Sequence, residues 1–110
     1  MIFDKEGTIT TIFQEKTSLP IFVQNINKEY PKLKHDHLIV NLFSFGNLSE
    51  DNILEFLELS NRHRNSGKSF VLVTGKVSYE EVPDEICLVP TLHEAKDLIE
   101  MEEIERDLGL

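Results

Sequence analysis

The chain has 110 residues, 40% of them hydrophobic, and a formal net charge of −9. That length buries roughly two-thirds of an unfolded chain's surface, so a single domain, 1–110, forms a core without disulfides or metals. The acidic balance is repelled by phosphate backbones and excludes a nucleic-acid binder, while favouring partners with basic faces.

In chain order, Ile2 to Asp4 and Thr8 to Gln14 read as a β-hairpin closed around Gly7. Ser18 is a candidate cap for a first helix, with Pro20 in its first turn, where a missing N–H costs nothing. Leu19, Phe22, Val23, Ile26 and Tyr30 recur at helical spacing, and Pro31 is expected to stop the helix. Leu38 to Leu42 is apolar on both faces, as in a strand covered on both sides. Ser49 caps a second helix from Glu50 to about Asn61. Glu50 and Asp51 lie at its positive end, and Ile53, Leu54, Phe56 and Leu57 face inward. Ser69 to Thr74 and Glu85 to Val89 are two further buried strands. A polar connection with room for one short turn at Ser78 to Glu81 separates them. Thr91 and Glu94 form a capping box for a last helix carrying Leu92, Ala95, Leu98, Ile99 and Met101 on its apolar side. Beyond Glu102 only Ile104 and Leu108 continue the pattern.

This order predicts an α/β fold: a mixed, mostly parallel sheet with an N-terminal β-hairpin and three main helices. The Leu38, Phe70 and Ile86 strands are expected at its centre. Phe22, Ile26, Leu57 and Leu98 are expected in the core. Cys87, the single cysteine, packs as a small hydrophobe and can form no internal disulfide, which fits a cytoplasmic protein. MIFDKEGTIT lacks a signal-peptide pattern, and no apolar run approaches the ~18 residues of a membrane span.

The stretch LIVNLFSFGNLSEDNILEFLEL, Leu38 to Leu59, resembles the central element of the STAS family of anti-sigma-factor antagonists. There a strand ending in V-D-L leads to D-S-S-G at the start of a helix. V-D-L falls on Val40, Asn41 and Leu42, and the tetrad falls on Ser49, Glu50, Asp51 and Asn52. The family's phosphorylatable second serine is Asp51 here. The resemblance covers nearly the whole chain and implies a non-catalytic regulatory domain that binds a protein, an anti-sigma kinase or another regulator. Its implied contact surface is Phe43, Phe45, Asn47, Ser49, Glu50, Asp51 and Asn52. Phe43 and Phe45 are contact anchors if exposed and core if buried. A phosphomimic is imperfect, since a carboxylate carries one charge against roughly two on phosphate. The run Glu100 to Gly109 also resembles the ends of STAS-like chains labelled ribonuclease Z. That leaves two alternatives: an accessory protein to an RNA-processing nuclease, and a small ligand-binding domain.

No constellation points to an enzyme. His35-Asp36-His37 lacks the further ligands a zinc hydrolase needs and reads as a polar lead-in to a strand. His63, between Arg62 and Arg64, reads as a solvated helix end, and His93 has no partner making it a base. Ser66-Gly67-Lys68-Ser69 echoes a P-loop, but a strand follows it instead of preceding it. Neither a catalytic residue, a metal nor a cofactor is expected.

Overall fold

The computed structural model describes residues 1–109. Strands β1 (Ile2–Glu6) and β2 (Ile9–Phe13) form the hairpin, with Gly7 at φ +60° in its two-residue turn. There follow α1 (Leu19–Leu33), β3 (His37–Asn41), α2 (Glu50–Leu54) and α3 (Leu57–Asn65). The chain closes with β4 (Phe70–Val73), a 3-10 turn (Tyr79–Glu81), β5 (Cys87–Val89) and α4 (Leu92–Asp107). The sheet order is β1-β2-β3-β4-β5, antiparallel within the hairpin and parallel elsewhere. This is the expected mixed, mostly parallel sheet, with one correction: β5 is an edge strand. The hairpin's second strand takes a parallel place beside β3, which moves the centre of the sheet to β2, β3 and β4.

Alternation along the parallel strands makes two cores. Leu38, Val40, Phe70, Leu72 and Leu88 meet Phe22, Ile26, Phe56 and Leu59 from α1 to α3. Ile39, Val71 and Val73 meet Ala95 and Ile99 of α4 on the other face. Phe22 and Ile26 are fully buried as expected, whereas Leu57 and Leu98 are half-buried at the margins of these cores.

Two helix boundaries depart from the sequence reading. Pro31 lies inside α1, and the Lys34 N–H still reaches the Tyr30 carbonyl at 2.9 Å. Burial of Tyr30 and Leu33 on either side of the proline holds that last turn in place. The second helix is two helices. At Glu55 and Phe56 the N–H groups bond to carbonyls three residues back, a tightened turn that drops Phe56 fully into the core and leaves Leu54 outside.

Candidate functional site

The expected contact surface lies at the carboxyl end of β3. The Asn41 side chain accepts from the Phe43 N–H at 2.9 Å, and the Ser44 hydroxyl donates to the Gln14 carbonyl at 2.5 Å. These bonds fix the start of the loop against β2 and β3. Phe45 is half-buried and packs its ring 5.5 Å from that of Phe22, so it belongs with the core. Phe43 is 52% exposed. Asn47, Ser49, Glu50 and Asp51 are exposed as well. Ser49 caps α2: its hydroxyl accepts from the Asn52 N–H, while the Asn52 side chain accepts from the Ser49 N–H at 2.9 Å. Asn52 is therefore committed to holding the turn.

At the same end of the sheet, an open cleft of about 500 Å³ lies at the carboxyl ends of β4 and β5, with Lys76, Val77, Tyr79, Leu88 and Pro90 in its walls. Its two carboxylates are occupied locally. Glu81 accepts from the Ser78 N–H, and Glu94 accepts from the Thr91 hydroxyl, not from the Thr91 N–H of a full capping box.

The opposite, amino end of the parallel strands holds a polar network that sequence reasoning missed. His63 is fully buried, a correction to its reading as a solvated helix end. Its Nε2 lies 2.8 Å from the Asp36 carbonyl, which can only accept, so Nε2 carries the proton. Nδ1 then accepts from the Tyr30 hydroxyl at 2.7 Å. The spacing held the signal: Phe56, Leu59, Ser60 and His63 stand at i, i+3, i+4 and i+7, and all four are buried.

His37 is buried too, while its neighbour His35 is exposed. Its Nδ1 accepts from the Ser69 N–H at 2.9 Å, and its Nε2–H donates to Glu103 at 2.7 Å. Both ring nitrogens are thus engaged in tying β3 to β4 and α4. Next to it, Glu102 accepts from Arg64 and from the Ser69 hydroxyl, each at 2.6 Å, and Arg106 donates to that hydroxyl at 3.1 Å. Burial drives both histidines below the ordinary imidazole value, against the opposing pull of Glu103 on His37 and of the Asp36 carbonyl on His63. Burial alone would raise Glu102, but bonds from Arg64 and Ser69 and the charge of Arg64 bring it below the usual carboxylate range. This network closes the fold and presents no free acid–base pair.

No protein-family model matches the chain, and no curated protein sequence matches it. Solved structures do. The chain is similar to a serine-to-glutamate variant of RsbS from Moorella thermoacetica, with a TM-score of 0.64 and 15% identity, over 90% of this chain and 93% of that one. It is also similar to the protein TM1081, solved by NMR, with a TM-score of 0.64 and 14% identity over 89% of this chain and 86% of that one. The fold is STAS-like.

In this STAS-like frame the strand-end position of V-D-L is Asn41, whose side chain carries out the loop-fixing bond described above. The tetrad positions Ser49 to Asn52 fall on the N-cap and first turn of α2, at the surface. The connection between β4 and β5 holds the 3-10 turn Tyr79–Glu81, capped by Ser78, in the place where the sequence left room for one short turn. Among the described residues, no helix is long and apolar enough to cross a membrane.

Proposed function

We propose that this STAS-like chain is a non-catalytic regulatory domain that binds a protein through the Phe43 to Asn52 loop and the first turn of α2. Asp51 stands in for the family's phosphorylatable serine. The observation that carries the reading is Phe43, a large apolar side chain left 52% exposed on a loop pinned at both ends. An exposed aromatic on a fixed loop that leads into the exposed acids Glu50 and Asp51 has the make-up of a contact anchor for a partner with a basic rim. The partner is an anti-sigma-type kinase or another regulatory protein. The locally bonded carboxylates of the cleft at the ends of β4 and β5 support the non-catalytic part of the reading.

Negative charge at the switch position weakens a kinase complex through repulsion and desolvation. Titration of an anti-sigma-type kinase by calorimetry is therefore expected to give tighter binding for Asp51→Ser, and nearly as tight for Asp51→Asn. Phe43→Ser is expected to abolish it. Both Asp51 variants lose a small favourable charge at the start of a one-turn helix, about 0.3 kcal/mol. If affinity is unchanged in both while stability falls, Asp51 is a capping-turn residue and the phosphomimic idea fails.

A further inference from the structure

The last two turns of α4 are inverted relative to an ordinary surface helix. Glu102, Glu103 and Arg106 face the protein, bonded to Arg64, His37 and Ser69. Met101, Ile104 and Leu108 face solvent, 58%, 58% and 68% exposed. In the first half of the same helix the pattern is normal, with Ala95 and Ile99 buried against Ile39, Val71 and Val73. At i, i+3 and i+7 the three exposed residues form one stripe, on the side of the helix opposite Ala95 and Ile99. Exposed acids border it on both sides: Glu105 on one, Glu100 and Asp107 on the other. From Met101 to Leu108 the stripe is about 10 Å long. The fold's own packing gives these apolar residues nothing to do.

We propose that the outer face of α4 is a second docking surface, for a basic protein helix whose apolar stripe meets Met101, Ile104 and Leu108 and whose lysines or arginines meet the flanking acids. Charge selects this occupant. A second copy of the same face would set acid against acid, and an anionic lipid surface would be repelled by the same residues. The surface lies on the sheet face opposite α1 to α3 and does not depend on the loop reading.

The test is fluorescence anisotropy of the full chain with a labelled synthetic helix carrying leucines along one face and lysines on both borders. Ile104→Ser and Met101→Ser are each expected to weaken binding about tenfold. Glu100→Gln with Glu105→Gln is expected to weaken it and flatten its salt dependence. Phe43→Ser is expected to bind as the parent chain does. Since all these side chains are exposed, circular dichroism of each variant should match the parent. A peptide that binds Ile104→Ser as well as the parent sees only general acidity, and the proposal fails. It fails equally if sedimentation shows the parent chain self-associating and Ile104→Ser monomeric, because the occupant is then a second copy.

Discussion

Replacing His63 with alanine is expected to destabilise the fold by about 3–5 kcal/mol. The ring is fully buried, so its removal leaves a cavity between α1, α3 and β4, where it packs edge-on against Tyr30 and Phe70. It also strands two polar groups, the Tyr30 hydroxyl and the Asp36 carbonyl, each of which costs about 1–3 kcal/mol when buried unpaired. His63→Phe restores volume but neither bond and should fall between alanine and the parent. His35→Ala, on an exposed side chain, should lie within about 0.5 kcal/mol of the parent. Urea unfolding monitored by circular dichroism measures all three. A His63→Ala cost as small as that of His35→Ala would show that the network does not hold the fold.

Acid should unfold this protein in two stages. His37 and His63 are held below the ordinary value of 6.5, so below that pH the unfolded chain binds protons that the folded chain refuses. The stability linked to them is complete above about pH 6.5 and is lost as pH falls, by up to about 1.4 kcal/mol per histidine per pH unit. Their geometry gives the reason. Nδ1 of His37 accepts from a backbone N–H and cannot be protonated without losing that bond. Asp36 and Glu102, held below 3.8 and 4.5, add a second loss as the pH falls through their own lowered values. At the alkaline end, burial holds the Cys87 thiol above 9.0, so stability linked to it is lost above that pH. Denaturant titrations from about pH 2 to about pH 10 should give a plateau near neutrality, a fall beginning near pH 6.5, a second fall on the acid side of the carboxylates' ordinary range, and a decline above 9.0. His37→Gln or His63→Gln should remove part of the first stage only. A curve flat down to pH 5 would contradict the buried neutral histidines.

Strand identity is legible because the apolar runs at Leu38, Phe70 and Ile86 are short, continuous and separated first by a capped, glycine-ended helical stretch and then by a polar connection. What escapes a sequence reading is decided by residues distant along the chain. Pro31 reads as a stop locally, yet Tyr30, bonded to His63 far along the chain, and Leu33 are both buried in the core and carry α1 past it. His63 is hidden by its charged neighbours, although Arg62 lies 4.8 Å over the Tyr30 ring and Arg64 turns to Glu102. Met101 fits the inner side of α4 only if the helix has one apolar stripe, and it has two. At the candidate site, the Ser49 cap and the acidic first turn are readable from local chemistry. The different fates of Phe43 and Phe45 are not, since only the position of Phe22 decides which ring is covered.

The most direct test of a protein-binding Phe43 to Asn52 surface is an NMR titration of the labelled chain with a partner recovered from native lysate. Backbone signals of Phe43, Asn47, Ser49, Glu50 and Asp51 are expected to shift together, and Phe43→Ser is expected to abolish the shifts while leaving the folded spectrum intact. Shifts confined to the cleft around Lys76, Tyr79 and Pro90, or a partner that binds Phe43→Ser unchanged, would contradict it.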